Sequence, residues 1–360
     1  MGGRMVGMID LMWNFPLLEE QKGMWSRYLR AAMDAFEGES VESLRPSFRT
    51  AEPGLRERAA KWLGYAPERM WITCGGHHGT LNALMASGVA GERMAVEGTT
   101  YPGFLDQCRA TKTEMVACAV DYDGLVPESL REVCKRGGVR GLFTMPTVQN
   151  PLGFVTPLAR REQIVEIARE FELTIIEDDA YGFMEEHAPT SYAELAPERT
   201  FYVRGLAKSF APGIRTGFLV APESAAGAMA SSLKCTATGT DVPANMAALT
   251  MCEDGTLERV MREKRSEGAI RNRAAREMLG DLCASGAQCA WHVWVRLPEG
   301  VHVDAIERAC KEAGVMVSNG KWCAVAPEYG RGLRLALGGE VERERTLEGV
   351  RRVTVVLGRV

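Results

Sequence analysis

The stretch that decides the fold is LTIIEDDAYG, at Leu173–Gly182. Its apolar first half is typical of a buried central strand, and Asp178 stands where that strand ends. In open α/β sheets, ligands bind beyond the carboxyl ends of the strands, so this acid is a candidate site residue. A solvated loop acid is the alternative, and Asp179 is a rival for the same role. Tyr181 favours Asp178, because a spacing of three residues lets both side chains reach one ligand ring.

A second stretch, GLAKSFAPGIR at Gly205–Arg215, places a lysine among small residues. A lysine whose pKa is lowered by burial and by cationic neighbours can form a Schiff base, so Lys208 is a candidate nucleophile, although an isolated lysine is more often a surface residue. The turn at Pro212–Gly213 returns Arg215 toward the lysine, and a guanidinium group binds two phosphate oxygens at once. The two stretches together supply an acid, a phenol, an amine and a guanidinium, which are the groups that pyridoxal phosphate (PLP) chemistry requires.

The composition is that of an ordinary globular protein. The chain has 360 residues, of which 46% are hydrophobic and 25% charged, enough for one large domain and a smaller one. A net charge of −4 and a pI of about 5.9 argue against nucleic acid or an anionic membrane as a partner. Neither a secretory apolar run nor a membrane-length apolar stretch is present, and ten scattered cysteines without a CxxC pair are typical of a reducing compartment. We therefore expect a cytoplasmic protein with no nucleic-acid and no membrane partner.

Short apolar runs alternate with amphipathic segments through the middle of the chain, which indicates βαβ units and a mostly parallel sheet. The predicted strands are Met70–Thr73, Arg93–Val96, Glu114–Ala119, Gly141–Thr144, Thr174–Glu177, Thr200–Val203 and Gly217–Ala221. The predicted helices between them include Gly79–Ser87, Pro102–Thr111, Pro127–Lys135 and Ala159–Phe171. A polar, helix-rich stretch, Val242–Leu279, broken near Glu253–Gly255, follows them. The last third predicts strands at Trp291–Leu297 and Leu333–Leu337 and helices at His302–Ala313 and Val341–Leu357.

These patterns divide the chain into four parts. Residues 1–40 are expected to form an N-terminal arm and part of a small domain, and residues 41–240 the large cofactor-binding domain. Residues 241–280 are expected to form a connecting helical segment, and residues 281–360 the small C-terminal domain.

Three further motifs follow predicted strands and supply candidate cofactor ligands. Asn150, in PTVQNPLG, has an amide that can donate to a ring oxygen, although Asn-Pro is also a common turn dipeptide. In TCGGHHG, Gly75 and Gly76 precede a helix whose backbone amides form a ready anion site, with His77 beside them, although a Gly-Gly turn alone is weak evidence. Tyr101, in EGTTYPGF, is placed to stack on a cofactor ring, whereas a bare aromatic residue more often belongs to a core.

Taken together, these segments resemble the fold-type-I, class I/II PLP-dependent aminotransferases, and among them the aminotransferase-like domain of MocR-type regulators. The resemblance covers most of the chain. It rests on the ordered motifs Leu55–Arg56, TCGGHHG, EGTTYPGF, QNPLG, IIEDDAY, AKSFAPGIR, AWHVWVRLP (Ala290–Pro298) and GLRLAL (Gly332–Leu337). It implies an α/β fold with a mostly parallel seven-stranded sheet in a large domain, a smaller α/β domain and pyridoxal 5'-phosphate as cofactor. It also implies a homodimer, because the family builds its active sites at a two-fold interface.

The resemblance also assigns a role to each matching position. The matches to cofactor ligands are Lys208 for the Schiff base, Asp178 for the ring nitrogen, Tyr181 and Asn150 for the ring oxygen, Tyr101 for ring stacking and Arg215 for the phosphate. Arg334 matches the arginine that binds the substrate α-carboxylate, the alternative being a strand arginine near the surface, and Asn150 is expected to bind the substrate as well.

The chain departs from the family pattern around the phosphate. The family commonly has serines at three positions that are Gly205, Ala207 and Gly76 in this chain. The family often has a tyrosine that reaches the phosphate of the neighbouring subunit, whereas residues 46–51 of this chain contain Phe48 but no tyrosine. Because each neutral hydrogen bond contributes about 0.5–1.5 kcal/mol, the loss of several would weaken cofactor binding.

We hypothesise that charged side chains replace the missing hydroxyls, since a charge-assisted hydrogen bond is roughly twice as strong as a neutral one. The candidates are Arg204 and, in addition, His77 or Arg49. The alternative for Arg204 is that it points to solvent from the end of its strand.

The function that these features predict is transfer of the amino group of a free α-amino acid to a 2-oxo acid through a Schiff base on Lys208. The runner-up is a specialised biosynthetic PLP enzyme that catalyses β/γ-elimination or replacement, decarboxylation or oxidative deamination. A ligand-sensing regulator module is disfavoured, because the family pattern begins at MIDLMWNFP within the first fifteen residues and leaves no room for a DNA-binding domain. A fold relic without cofactor conflicts with the retained lysine, acid and arginine. Trp13 and Phe15 are expected to be core residues rather than a cover of the site.

Overall fold

The computed structural model describes residues 7–39, 41, 54–283 and 286–358. The strands are β1 (Ile9–Leu11), β2 (Met70–Thr73), β3 (Arg93–Glu97), β4 (Glu114–Cys118), β5 (Val120–Asp121), β6 (Gly124–Leu125), β7 (Val139–Thr144), β8 (Thr174–Asp178), β9 (Thr200–Gly205), β10 (Gly217–Val220), β11 (His292–Arg296), β12 (Val315–Asn319) and β13 (Gly332–Ala336). The helices are α1 (Gln21–Glu37), α2 (Leu55–Leu63), α3 (Gly76–Ala86), α4 (Pro102–Ala110), α5 (Pro127–Lys135), α6 (Leu158–Glu170), α7 (Tyr192–Leu195), α8 (Leu206–Ser209), α9 (Ala226–Thr236), α10 (Val242–Glu253), α11 (Thr256–Leu279), α12 (Val303–Glu312) and α13 (Arg343–Leu357).

The larger sheet has seven strands in the order β2-β10-β9-β8-β7-β3-β4. Strands β9, β8, β7, β3 and β4 pair in parallel, whereas β10 runs antiparallel to both of its neighbours. Parallel strands are joined by helical crossovers, and their carboxyl ends therefore lie at one edge of the sheet. The loops after β2, β7, β8 and β9 start at that edge and carry the motifs that the sequence singled out.

The smaller sheet has the order β1-β12-β13-β11. Strand β1 pairs in parallel with β12, and β13 runs antiparallel to β12 and β11, which opposes Arg334 to Trp294 on one side and Ser318 on the other. Ile9 in the arm pairs with Val315, far along the chain. The arm therefore contributes a strand to a sheet otherwise built from the last third of the sequence.

Helix α11 contributes side chains to a hydrophobic core on each of the two sheets. Leu257 and Val260, in its first half, pack in the core of the larger sheet. Ala275 and Leu279, in its last turns, pack in the core of the smaller sheet. Each end of the helix is thus stabilised by burial of apolar side chains on a different sheet.

The predicted α/β architecture, with a mostly parallel seven-stranded sheet and a smaller α/β unit, is confirmed. The prediction did not include the strands β1, β5, β6 and β12 or the helices α1, α2, α7, α8 and α9. Strand β1 has three residues, and β5 and β6 have two each, lengths at which periodicity gives little signal. The domain boundaries at residues 40, 240 and 280 stay a prediction.

None of the helices in the described part of the chain combines the length and the apolar character that a bilayer crossing requires.

Candidate active site

A cavity of about 390 Å³ lies where the carboxyl edge of the larger sheet faces strand β13. Its walls come from separate parts of the chain: the arm, the start of α3, the loops after β3, β7 and β8, the α8 region and β13. The predicted site residues that line it are Gly76, His77, Tyr101, Asn150, Asp178, Tyr181, Lys208, Arg215 and Arg334. The fold therefore brings together in one place residues that are widely separated in the sequence.

Asp178, and not Asp179, is the acid of this cavity. Neighbouring residues at a strand end point to opposite faces, and Asp179 instead accepts a hydrogen bond from the hydroxyl of Tyr202 at 2.5 Å on the other face. Burial raises the pKa of Asp178 to about 7, and a hydrogen bond from the backbone amide of Ala180 together with the charge of Lys208 opposes that rise. A carboxylate in this setting gains from any cationic partner that enters the cavity.

Lys208 projects its amine into the cavity from the short helix α8. Its Nζ donates a hydrogen bond of 2.6 Å to the backbone carbonyl of Asn14 and lies 4.5 Å from the ring centre of Phe15. Burial and the charge of Arg334 lower the pKa of Lys208 to about 7, although Asp178 acts in the opposite direction. A large part of this amine is consequently neutral near pH 7, which is the form that attacks carbonyl carbons.

A buried lysine holds the backbone that carries Lys208. The Nζ atom of Lys264, on α11, donates to the carbonyl oxygens of Lys208 at 2.9 Å and of Phe210. Burial, and secondarily the charge of Lys208, place the pKa of Lys264 well below its ordinary value.

Tyr181 is tied to two residues that the sequence argument did not select. Its hydroxyl oxygen accepts a hydrogen bond from Asn14 Nδ2 at 3.0 Å, and its ring meets the ring of His292 edge-on with centres 5.4 Å apart. His292 Nε2 in turn lies 2.9 Å from the carbonyl oxygen of Gln149. Burial raises the pKa of Tyr181 to about 12, so the phenol keeps its hydrogen at neutral pH.

Asn150 and Arg334 meet on the wall opposite the larger sheet. Arg334 Nη1 donates to Asn150 Oδ1 at 2.8 Å, and Nη2 donates to the carbonyl of Met12. The first bond fixes the Asn150 amide with its nitrogen as a free donor, the orientation that a ring oxygen needs. Arg334 Nε is buried and has no hydrogen-bond partner among the described residues, so the guanidinium keeps a donor for a ligand.

The outer end of the cavity is built from backbone and from Arg215. Gly75 has a φ of 87°, and a Cβ there would lie 3.2 Å from the Arg215 guanidinium, so glycine is required for this approach. Arg215 donates to the carbonyl of Cys74 at 2.9 Å, and helix α3 starts at Gly76 without a side-chain cap. Uncapped amides beside a guanidinium form a site for a phosphate group.

His77 lies at this outer end and contacts Gln107 and Tyr101. Its Nδ1 accepts a hydrogen bond from Gln107 Nε2 at 3.1 Å and lies 3.3 Å from the Tyr101 hydroxyl. Burial, followed by the charge of Arg215, lowers the pKa of His77, which favours the neutral ring with its hydrogen on Nε2. The lowered pKa disfavours the added charge hypothesised at His77, and the role of His77 at the phosphate stays a prediction.

Close backbone packing accounts for the missing serine at Gly205. A Cβ at Gly205 would lie 2.7 Å from the backbone nitrogen of Gly76, and one at Gly217 would lie 2.5 Å from the carbonyl carbon of Gly75. The turn after β2 thus packs directly on the ends of β9 and β10, and no side chain fits between them.

Arg204 is placed in a different cavity, which corrects both predictions made for it. That second cavity, of about 510 Å³, is lined by Arg204, Asp179 and Tyr202 among others. The Arg204 guanidinium carbon lies 5.2 Å from the ring centre of Trp62. Side chains alternate along β9, so a residue directly before Gly205 faces away from the Lys208 cavity, and it neither binds there nor points to solvent. Arg49 and Phe48 lie outside the described residues.

The arm covers the cavity, contrary to the expectation that its aromatic residues are core. Trp13 and Phe15 line the cavity, stack with ring centres 6.0 Å apart and are 48% and 37% exposed. Besides Asn14 and these two aromatic residues, the cavity wall includes Met145 and Pro212, which sequence reasoning also missed.

The comparisons with known proteins agree with this geometry. A family model described as "Aminotransferase class I and II" matches residues 6–350. The 2-aminoadipate transaminase of Thermus thermophilus is 28% identical over 319 residues, which cover 83% of this chain and 78% of that protein. The crystal structure of an α-aminoadipate aminotransferase from the same species, with N-(5'-phosphopyridoxyl)-L-leucine, superposes with a TM-score of 0.87 at 26% identity over 98% of this chain and 93% of that one.

A regulator is also among the relatives. The uncharacterized HTH-type transcriptional regulator YdeF of Bacillus subtilis is 23% identical over 300 residues, which cover 83% of this chain and 62% of the regulator. The resemblance to regulators of this kind is thus confirmed for the shared part.

Because the family model matches nearly the whole chain, the protein belongs to the class I and II aminotransferases, a class of PLP-dependent enzymes. It is an aminotransferase that acts on amino acids.

Proposed function

We propose that this enzyme moves the amino group of a free α-amino acid to a 2-oxo acid, with PLP held in the Lys208 cavity. The observation that carries the proposal is the position of Lys208: an amine with a pKa lowered to about 7, in one cavity with the buried acid Asp178 and the buried arginine Arg334. When bound, PLP supplies an aldehyde carbon that condenses with amines and a ring that accepts electrons from the substrate α-carbon.

The donor set of the cavity fits PLP. The Asp178 carboxylate suits a pyridinium nitrogen, the Tyr181 hydroxyl and the Asn150 amide suit a ring oxygen, and Tyr101 offers a ring face. At the other end, Arg215 and the amides of Gly76 and His77 suit a phosphate dianion. Because Gly75 has no side chain, the Arg215 guanidinium can approach the backbone there. Each of these residues thus matches one polar group of the cofactor.

Lys208 would act as the base that moves the α-proton. The neutral amine is favoured near pH 7 because burial and Arg334 disfavour its charge, and a base whose pKa lies near the working pH is the most effective. Its present hydrogen bond to the Asn14 carbonyl keeps Nζ inside the cavity and pointing away from bulk water.

Arg334 would hold the substrate α-carboxylate. The unpartnered Nε and the bond of Nη1 to Asn150 leave a donor edge with defined orientation, and an arginine fork binds both carboxylate oxygens. A carboxylate at this place is fixed relative to Lys208, because β13 and the smaller sheet are rigid elements.

A homodimer and a cytoplasmic location remain predictions. The family builds its sites at a two-fold interface, and the exposed aromatic residues of the arm, Trp13 and Phe15, support a partner near the cavity. Light scattering of the purified protein at several concentrations measures the oligomeric state, and a monomer at all of them would contradict the first prediction.

The test of the proposed function is a reconstituted reaction. The purified protein, loaded with PLP, is given single amino acids and 2-oxo acids, beginning with 2-aminoadipate and leucine because a relative's name and a related structure's ligand contain them. We expect equal amounts of new 2-oxo acid and new amino acid, and no turnover by Lys208→Ala. Release of ammonia, carbon dioxide or consumption of oxygen in place of amino transfer would overturn the proposal and favour the specialised enzyme.

A further inference from the structure

A chain of hydrogen bonds runs from the backbone of Gln149 to the hydroxyl of Tyr181 through two buried side chains. His292 Nε2 lies 2.9 Å from the Gln149 carbonyl oxygen, and Asn14 Nδ2 lies 3.4 Å from His292 Nδ1 and 3.0 Å from the Tyr181 hydroxyl. Asn14 is 3% exposed and His292 is 1% exposed. The chain connects the arm, strand β11 and the loop after β8, three parts far apart in sequence.

The direction of every hydrogen in this chain follows from its first member. A carbonyl oxygen only accepts, so His292 Nε2 must carry a hydrogen. Burial, followed by the charge of Arg334, lowers the pKa of His292 to about 3, so the ring is neutral and Nδ1 carries a lone pair. An acceptor at Nδ1 requires the amide nitrogen of Asn14 on that side, because the reversed amide would set an oxygen against the lone pair.

The orientation of Asn14 then determines what Tyr181 does. With its nitrogen between Nδ1 and the phenol, Asn14 has two hydrogens for two acceptors, and the phenol oxygen is one of them. The hydrogen of Tyr181 is left to point elsewhere, and Tyr181 lines the Lys208 cavity. Asn14 Oδ1 is buried without a partner among the described residues, so the amide is oriented by its nitrogen rather than by its oxygen.

We propose that Asn14 and His292 are positioning residues that turn the hydroxyl of Tyr181 into a hydrogen-bond donor toward the cavity. The proposal rests on the proposed function, in which Tyr181 faces the ring oxygen of PLP. A donor there stabilises negative charge on that oxygen, so the proton shared with the Lys208 nitrogen is released at lower pH. The Asn14 amide and the His292 ring act through Tyr181, and neither of these side-chain groups contacts a reacting atom.

The first measurement needs no cofactor. The sequence contains five histidines, and ¹⁵N-histidine NMR of the full-length chain, assigned with a His292→Phe variant, reports the tautomer of His292. We expect a hydrogen on Nε2, a hydrogen-bonded Nδ1 lone pair, and no titration between about pH 6 and 8. A hydrogen on Nδ1 would overturn the proposal, because Asn14 would then present its oxygen and accept rather than donate.

The second measurement follows the visible absorption of the PLP-loaded protein against pH. Tyr181→Phe should raise the midpoint by about 1 pH unit, a tenfold change in proton affinity. Asn14→Leu and His292→Phe should each raise it by part of that amount, and Asn14→Leu combined with Tyr181→Phe should raise it no further than Tyr181→Phe alone. His302→Phe makes the same exchange as His292→Phe at an exposed histidine outside the cavity and should leave the midpoint in place.

The outcomes separate this proposal from the one on which it rests. If Tyr181→Phe shifts the midpoint but Asn14→Leu does not, the positioning role falls and the proposed function stands. Additive shifts in the double variant also overturn it, because residues that act through one phenol cannot add. If Tyr181→Phe itself has no effect, the place given to Tyr181 in the proposed function is wrong.

Discussion

The two ends of the Lys208 cavity are built by different means. At the inner end, side chains bond to one another: Arg334 to Asn150, Asn14 to Tyr181, and Lys208 to the arm backbone. At the outer end, the backbones of Gly75 and Gly76 pack against those of Gly205 and Gly217, and the Arg215 guanidinium lies beside them and donates to the carbonyl of Cys74. The inner end therefore depends on which donors and acceptors are present, whereas the outer end depends on the absence of side-chain volume.

The largest effect is expected at the inner end. Lys208→Ala removes the base and should lower amino transfer by about 10²- to 10⁴-fold or more, while the outer end still retains PLP without a covalent bond. Turnover and bound cofactor are measured on the same preparation. Loss of both together would mean that the two ends do not act separately.

Removal of the outer charge should act on binding instead. Arg215→Ala deletes a charge-assisted contact and should weaken PLP affinity roughly 10- to 100-fold, with turnover at saturating PLP changed far less. Arg215→Lys, which keeps the charge but not the fork, is the matched control and should fall between the two proteins. Equal affinities for all three, in equilibrium titrations, would place the phosphate elsewhere.

Serine substitutions should destabilise the protein at a closely packed glycine but not at a glycine with free space around its Cα. A Cβ at Gly205 would approach Gly76 nitrogen to 2.7 Å, whereas a Cβ at Gly76 would have no neighbour closer than 3.6 Å. Gly205→Ser should lower the free energy of unfolding by about 1–3 kcal/mol. Gly76→Ser should fold normally and tighten PLP binding by about 1 kcal/mol through its hydroxyl. Urea unfolding compares the stabilities of the Gly205→Ser and Gly76→Ser variants. Equal stabilities would refute close packing as the reason that position 205 lacks a hydroxyl.

The smallest effects concern pH, and two residues of the inner end should act with opposite signs in the cofactor-free protein. The pKa of Lys208 falls from 10.5 to about 7 on folding, so between these values the unfolded chain binds the extra proton and stability rises with pH. The pKa of Asp178 rises from 3.8 to about 7, so stability falls as pH increases over that range. Each slope is at most about 1.4 kcal/mol per pH unit. Unfolding curves of Lys208→Met and Asp178→Asn should lose the respective slope, and identical pH profiles for wild type and variants would contradict both assignments.

The parts of this site that the sequence predicted share a local signal. The three residues that follow recognisable apolar strands are Asp178, Tyr181 and Lys208. Because the carboxyl ends of parallel strands lie at one edge of the sheet, residues that follow such strands come together. Arg204 was misplaced although its signal was also local, because alternation along β9 sets it on the face opposite to Gly205.

Asn14 and His292 could not be found this way. They lie 278 positions apart, each is an ordinary residue in its own segment, and their role arises only when β1 and β11 join the same sheet. Likewise, the missing serine at Gly205 could be noted in the sequence, but its cause is a backbone contact with the distant turn at Gly76.

Helix α11 contacts both the segment that carries Lys208 and the segment that follows Arg334. Near its middle, Lys264 donates a hydrogen bond to the carbonyl of Lys208. Two turns later, Arg271 donates to the carbonyl of Leu337, just past the strand that carries Arg334. Helix α11 thus fixes the span between the Lys208 amine and the Arg334 guanidinium along a single rigid helix with about 1.5 Å of rise per residue. Under the proposed function, in which Arg334 holds the α-carboxylate and Lys208 moves the α-proton, a fixed span leaves differences in substrate size to the side of the cavity that the arm forms.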